Sequence, residues 1–414
     1  MLKNKFRVPR VILCGVLCAG MILSPVSLIY ASSETQTEST ANPTPTPDPH
    51  TAAYYTPADT NSIEGWPAGP AIEATAAVLM DVQTGTILYS KNADTVLYPA
   101  SITKIMTLLL GSENLNPKDP LIMSQSAAFG IEVGSSSIWA DTNEEFTIEQ
   151  AMMAVALESA NEMSLAIAEE VSGSSKKFVE LMNERAANLG CTNTHFNNPN
   201  GLPDETHYTT AGDMAKIAAA AWQNLTYRSY VTEDYYEIPP TNRQPETRYM
   251  LNHHKMMAGR DHAYEGVLGG KTGYTVVAGN TLITYAKRDS TTLVSVVMQS
   301  VGSTYADTAA LLDYGFNNFK KVKVTDHLTS VTSELLPSEK YIMSSIENIE
   351  PFTALRNGYA NIPVDADEDS ITIEKSLLSN EPGAFRLESL FYYNGHPVGW
   401  GMEVEEHILP ELLS

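Results

Sequence analysis

The chain has 414 residues, enough for one large globular domain with a smaller one beside it. Its 26 Lys and Arg stand against 49 Asp and Glu, a formal charge of -23. That balance repels phosphate backbones and anionic headgroups alike and excludes nucleic acid as a partner. Lys3, Lys5, Arg7 and Arg10 precede an apolar run from Val11 to Tyr30, with small residues at Ala31-Ser32. This is the pattern of a secretory signal cleaved after Ala31; uncleaved, the same run is long enough to act as a membrane anchor. The expected location is therefore extracytoplasmic, at the cell wall or the outer face of the cytoplasmic membrane. Any membrane attachment runs through this segment. Beyond it Cys191 is the single cysteine, so the mature chain has no internal disulfide.

Residues 32–70 are rich in Thr, Pro, Ser and Ala, including Asn42-Pro43-Thr44-Pro45-Thr46-Pro47-Asp48-Pro49, and read as an extended tether. From Thr75 the pattern becomes strand, turn, strand: Thr75 to Asp81, Gln83-Thr84-Gly85, then Thr86 to Tyr89. A helical middle follows. Thr147 and Gln150 stand in capping-box spacing ahead of Ala151 to Leu157, and Gly190 closes a helix that begins near Ser174 or Ser175. Thr210 precedes an Ala-rich helix through Trp222. Strand-like runs return at Thr281 to Ala286 and Thr292 to Met298, after which Ser303 is expected to cap a helix. Strands at both ends with helices between them imply one sheet built from distant segments. After Lys320 short alternating pieces such as Ser370 to Glu374 and Ser389 to Tyr393 suggest a small β-rich unit. The expected division is thus a leader at 1–31, a linker at 32–70, a main domain at 71–320 and a β-rich C-terminal domain at 321–414.

Three short motifs carry chemistry. Ser101-Ile102-Thr103-Lys104 runs into the apolar Ile105 to Leu110. If a helix begins near Ser101, Lys104 stands one turn on and its amine shares a face with the hydroxyl. A serine hydroxyl needs a base to take its proton, and a lysine desolvated beside other cations can do so. Ser174-Ser175-Lys176-Lys177 has the same spacing, but there a helix cap with a solvated lysine is the better reading. Ser159-Ala160-Asn161 falls between two helical runs, from which a hydroxyl and an amide can both point into a cleft; its bland alternative is an ordinary cap. Lys271-Thr272-Gly273, after Gly269-Gly270 and ahead of Tyr274-Thr275, offers an ammonium and a hydroxyl to a carboxylate, with a glycine that permits close backbone approach. Taken alone it is also compatible with a turn carrying a surface lysine.

In this order the three motifs resemble the signature of penicillin-binding proteins and serine β-lactamases. Tyr98-Pro99-Ala100-Ser101 through Lys104-Ile105-Met106-Thr107 narrows the resemblance to the low-molecular-weight D-alanyl-D-alanine carboxypeptidases. So do Asn198-Pro199-Asn200-Gly201-Leu202 with His207 to Ala211, and Lys271 to Thr275 with Ala278-Gly279. The resemblance covers about Thr75 to Lys320. It implies an α+β fold: a serine β-lactamase/penicillin-binding-protein-like domain, with an antiparallel sheet and a helical subdomain, followed by the small β-rich domain. It further implies Ser101 as nucleophile, Lys104 as its base and Ser159 as proton relay. Asn161 would hold the substrate amide, Lys271 with Thr272 the terminal carboxylate, Gly273 would let the backbone come close to the substrate, and the N–H groups of Ser101 and Tyr274 would hold the oxyanion. The implied substrate is a peptidoglycan stem peptide, with β-lactams as covalent inhibitors, and no cofactor or metal is called for. His207, His253 and His254 lack metal-ligand spacing, and His207 is expected to lock the loop before Thr210.

Two departures from the family pattern lie beside the motifs: Glu162 where Asp is frequent, and Leu268-Gly269-Gly270 before the lysine. The acidic end, Glu405 to Ser414 with Pro410, is a poor lipid binder. A serine β-lactamase shares the three motifs but generally needs a further carboxylate to position water. A non-catalytic wall- or β-lactam-binding sensor is the alternative from another class, and a base-activated nucleophile argues against it.

Overall fold

The computed structural model describes residues 50–324, 353–379 and 386–404. The expected leader, the tether as far as residue 49 and the acidic end lie outside them. Strands β1 (Ala76–Asp81) and β2 (Ile87–Lys91) form the opening hairpin. A helical region follows: α1 (Lys104–Asn114), β3 (Pro120–Ile122), α2 (Gln125–Phe129), β4 (Glu145–Thr147), α3 (Ile148–Leu157), α4 (Asn161–Ser172), α5 (Ser175–Asn188), α6 (Ala211–Gln223) and α7 (Leu225–Val231). Two short strands, β5 (Tyr235–Ile238) and β6 (Arg248–Leu251), lead to β7 (Val267–Thr275), β8 (Gly279–Arg288) and β9 (Thr291–Ser300). Helix α8 (Thr304–Asn318) then passes directly into β10 (Phe319–Lys323), with β11 (Thr353–Pro363), β12 (Ile371–Ser379), β13 (Arg386–Tyr393) and β14 (His396–Val404) closing the described chain.

The central sheet has the order β2-β1-β9-β8-β7 and is antiparallel throughout. It is buried on both faces, which is why its strands are apolar runs and not alternating ones. Along β1, Ala76, Val78 and Met80 join the helical core while Ala77 and Leu79 face the core that holds Leu311 and Leu312 of α8. On β8 the same division puts Ile283 and Tyr285 on the helical side and Leu282 and Ala286 on the other. β7, at the edge of the sheet, is left facing the helical region.

Local signals in the helical region are realised. Thr147 Oγ accepts from the Gln150 N–H and the Gln150 side chain accepts from the Thr147 N–H, completing the capping box. Ser174 and Thr210 cap α5 and α6 through their hydroxyls. Ser303 does not cap α8: its hydroxyl donates to the Asp307 carboxylate at 3.0 Å, and the helix begins without a side-chain cap.

The expected tether is corrected over its second half. Residues 52–55 and 59–62 form single 3₁₀ turns, and Ala58, Thr60 and Trp66 are buried. Trp66 Nε1 donates to the Leu88 carbonyl at 2.8 Å, and the indole packs against Phe319 and His396 with ring centroids 4.8 Å away in each case. Composition concealed this because one large aromatic group among Pro and Gly is enough to fasten a polar segment to an apolar surface. The described residues belong to one compact unit that begins at Pro49. The C-terminal sheet, ordered β10-β11-β14-β13-β12, shares its core with β1, β2 and α8 through Ile362, Phe391 and Val398. Among the described residues no helix is long and apolar enough to cross a membrane.

Because Trp66 joins three parts of this core, Trp66→Ala is expected to lower the unfolding free energy by about 3–5 kcal/mol. Urea melts measure this; an unchanged midpoint would mean that the segment before Thr75 is a tether after all.

Candidate active site

The chain enters the site through a strained turn. Ala100 has φ +52°, a left-handed conformation that costs a non-glycine residue on the order of 1 kcal/mol. Its neighbours hold it there. Thr281 Oγ1 on β8 donates to the Pro99 carbonyl at 2.9 Å. Gly201 lies so close that a Cβ would stand 1.9 Å from the Ala100 carbonyl oxygen, and a Cβ on Gly273 would meet Ser101 N at 2.8 Å. Both glycines are therefore needed for close approach, one from the loop before α6 and one from β7. Ser101 sits in a 3₁₀ turn, Ala100–Thr103, and Lys104 is the first residue of α1. The helix thus begins at the lysine and not at the serine, yet the turn still leaves the two side chains together.

Lys104 is fully buried, and its Nζ lies 3.1 Å from Ser101 Oγ. It donates to Asn161 Oδ1 at 2.7 Å and to the Asn200 carbonyl at 2.5 Å. Burial, reinforced by the nearby Lys271, holds the amine well below the ordinary lysine range, against a smaller opposing pull from Glu162. A neutral amine has two N–H groups and one lone pair. An ammonium at Nζ spends its three N–H groups on Ser101 Oγ and the two carbonyl acceptors; on losing a proton it can keep the two carbonyls and turn its lone pair to the Ser101 hydroxyl.

Ser159 and Asn161 come from the sharp connection between α3 and α4. Ser159 has φ +60° and is 4% exposed, and its Oγ is buried without a hydrogen-bond partner among the described residues. Such a hydroxyl costs about 1–3 kcal/mol unless a ligand or water completes it. Glu162 is buried one residue further on, where its Oε1 accepts from Ser137 Oγ and the Ile138 N–H at 2.7 Å each. The longer carboxylate thus anchors the loop that carries Ser136, whose carbonyl accepts from the Asn161 N–H at 2.9 Å.

Lys271 on β7 is 2% exposed, with its Nζ 3.1 Å from the Thr272 carbonyl that accepts from it. Burial pushes its pKa down to about 7, partly opposed by Glu158. Ser101, Ser159, Thr272, Gly273 and Tyr274 line one open cleft of about 320 Å³. Lys104 and Asn161 stand behind Ser101, and Lys271 beneath Thr272. Ser136, His253, Asn280, Thr304 and Tyr305 also line the wall, none of them assigned to a cleft by sequence. His253 is tied to Glu158 at 3.1 Å. Asn200 contributes only a carbonyl, which carries no residue signature, although the Asn-Pro-Asn-Gly run marked its turn.

His207 and His254 are structural. The Asn197 N–H donates to His207 Nδ1 at 2.9 Å, so Nε2–H donates to Thr103 Oγ1, also at 2.9 Å, fastening the 197–207 loop to the Ala100–Thr103 turn. Cys191 is buried, with its thiol pushed up to about 12, which makes it a poor nucleophile.

An antiparallel sheet packed against helices, with a serine and a desolvated lysine at their junction, defines a serine acyl-transfer enzyme. The family model for D-alanyl-D-alanine carboxypeptidases of peptidase family S11 matches residues 64–302. The D-alanyl-D-alanine carboxypeptidase DacF of Bacillus subtilis is 32% identical over 290 residues, 68% of this chain and 72% of that protein. The Haemophilus influenzae DacA is 30% identical over 71% of this chain and 73% of its own length. Among solved structures, the Streptomyces K15 DD-transpeptidase superimposes with a TM-score of 0.57 at 28% identity, over 61% of this chain and 100% of that one. Penicillin binding protein 5 from Haemophilus influenzae shares the fold over 82% of this chain and 98% of its own, with a TM-score of 0.63 at 24% identity. The chain belongs to the D-alanyl-D-alanine carboxypeptidase family, and its fold class is the expected one.

Burial holds both His207 and His254 near pKa 4 in the folded protein, against an ordinary value of 6.5. Between those values the unfolded chain binds more protons, so stability present above pH 6.5 is lost as the pH falls towards 4. Each ring contributes about 1.4 kcal/mol per pH unit in that window. Urea melts across it should show a shallower decline for the His207→Gln, His254→Gln double variant. An equal decline would remove the histidines as its cause.

Proposed function

We propose that this chain is a serine-type D-alanyl-D-alanine carboxypeptidase that removes the terminal D-alanine from peptidoglycan stem peptides outside the cytoplasm. In this reading residues 71–320 form the catalytic domain, and the first 31 residues direct export. The observation that carries it is the setting of Lys104: a fully buried amine 3.1 Å from Ser101 Oγ, with Asn161 Oδ1 and the Asn200 carbonyl as its other two partners.

Lys104 takes the Ser101 proton as Oγ attacks the carbonyl carbon of the penultimate D-alanine. The N–H groups of Ser101 and Tyr274 receive the developing oxyanion, and the close approach that Gly273 permits supports this pairing. As the tetrahedral intermediate collapses, the proton passes from Lys104 through Ser159 Oγ to the departing amine, and D-alanine leaves. The otherwise unpartnered Ser159 hydroxyl suits that relay. Water attacks the ester, Lys104 takes its proton, and Ser101 is restored. Asn161 holds Lys104 through Oδ1 and offers its amide to the substrate. Lys271 and Thr272 recognise the terminal carboxylate through charge-assisted hydrogen bonds.

The test is release of free D-alanine from a peptide ending in D-Ala-D-Ala. Labelled penicillin should attach to Ser101, since its tethered leaving group cannot diffuse away; peptide mapping to Ser174 would overturn the assignment. Lys104→Arg keeps the charge but not the base, because guanidinium does not deprotonate, and should lose about 10³-fold in both acylation and D-alanine release. Near-normal turnover in that variant would assign the proton to another group. Wild-type protein that acylates once and never releases D-alanine would be a sensor.

The two lysines also set the pH profile of kcat/KM. Lys104 works as its proton is lost, so activity rises with pH on the acid side. Lys271, at about 7 in the empty site, loses its charge above that value, so carboxylate binding weakens on the alkaline side. A profile that climbs steadily to pH 10 would exclude a charged Lys271 from recognition.

A further inference from the structure

The strip Ser135-Ser136-Ser137 belongs to two hollows at once. Ser136 lines the catalytic cleft, while Ser135 and Ser137 line a second hollow of about 390 Å³ in the loop between α2 and β4. The rest of that hollow is mostly apolar, with Phe129, Ile131, Val133 and Trp139, and it carries the carboxylates of Glu132 and Asp141. No lysine or arginine is among its lining residues. Trp139 is 75% exposed and Phe129 69%.

The loop is clamped so that the indole stays outside. Trp139 has φ +60°, a left-handed conformation that is strained for so bulky a residue. Its N–H donates to Ser137 Oγ at 2.8 Å, and that hydroxyl donates in turn to the buried Glu162. From β6, Arg248 donates to the carbonyls of Ile138 and Trp139, at 2.9 and 3.3 Å, while both oxygens of the buried Glu144 hold its guanidinium at 2.8 and 3.0 Å. The strain and the forgone burial of a large aromatic group both count against this arrangement in the empty protein, and a ligand that covers the indole offsets them.

We infer that this hollow is a carbohydrate subsite, which seats an N-acetylated sugar of the glycan that carries the stem peptide. The inference rests on the proposed reaction, since that substrate is what brings a sugar to this face. The shared serine strip makes the hollow continuous with the catalytic cleft, so one substrate can occupy both. An acidic surface without a cation repels the carboxylates of a stem peptide, whereas carboxylates accept hydrogen bonds from the hydroxyls of a neutral sugar. A pyranose ring offers its C–H face to the indole, and an acetamido methyl suits Ile131 and Val133. An aromatic and acidic surface also attracts an ammonium, but the hollow is far roomier than one aliphatic amine requires.

The test follows D-alanine release by the full chain from two substrates, a disaccharide-linked pentapeptide ending in D-Ala-D-Ala and the same pentapeptide without sugar. Wild-type protein should favour the first by roughly tenfold in kcat/KM, mostly through KM. Trp139→Ala keeps the Cβ and hence the backbone strain; it should remove the preference while leaving the rate on the free pentapeptide unchanged, which also reports an intact fold. Trp139→Tyr, which can still stack, should retain most of the preference. Equal wild-type rates on the two substrates would overturn the subsite and leave the reaction standing, and so would a Trp139→Ala loss that is as large on the free pentapeptide, because the indole would then read peptide. Binding separates the two ideas: N,N′-diacetylchitobiose should change the tryptophan fluorescence of Ser101→Ala protein saturably, and adding Trp139→Ala should abolish that response. A response from protein that releases no D-alanine would overturn the reaction alone, and no response would overturn the subsite.

Discussion

The structure is organised around the cost of taking two lysine amines out of water. Lys104 and Lys271 are each nearly inaccessible, and they arrive from opposite sides, one from the first turn of α1 and the other from the edge strand β7. An isolated buried ammonium would be prohibitive, and the cheaper solution is to shed the proton. For Lys104 burial and the neighbouring Lys271 favour that solution, while the two carbonyl acceptors keep N–H groups satisfied in either state. Because the amines belong to different halves of the domain, neither is desolvated until the sheet and the helices are packed together.

Backbone strain follows the same geography. Ala100 and Ser159, next to and within the first two motifs, both adopt left-handed conformations without being glycine. Each is held by groups that are remote in sequence, Thr281 and Gly201 for the first and the Ser136 loop for the second. Residues in relaxed conformations would not aim the hydroxyls of Ser101 and Ser159 into one cleft, so the strain is the cost of their convergence.

What could be read from the sequence was whatever is encoded locally. The capping box at Thr147 and Gln150, the turn at Gln83 to Gly85 and the three motifs each lie within a few residues of one another. Their chemistry follows from residue type and spacing. The cleft wall was not legible: Ser136, His253, Thr304 and Tyr305 meet only because the sheet joins distant strands, and the Asn200 acceptor is a carbonyl that any residue would supply. Ser303 was misjudged for a related reason. Its spacing suits a cap, but the buried Asp307 carboxylate, a stronger acceptor, competes for the hydroxyl. The Pro- and Thr-rich composition before Thr75 likewise outweighed a single tryptophan whose ring partners, Phe319 and His396, lie far along the chain.

The strand order β2-β1-β9-β8-β7 fixes when the protein can first function. Ala77, near the start of the folded chain, pairs with Val297, and Ser101 is braced by Gly273 and Thr281. The opening hairpin therefore waits for its neighbour until almost the whole domain has been made, and contacts of such long range form slowly. During synthesis the serine is an ordinary hydroxyl on an unfinished chain. The assembly of Ser101, Lys104 and Asn161 is timed by topology: it is complete only after β9 has inserted between β1 and β8.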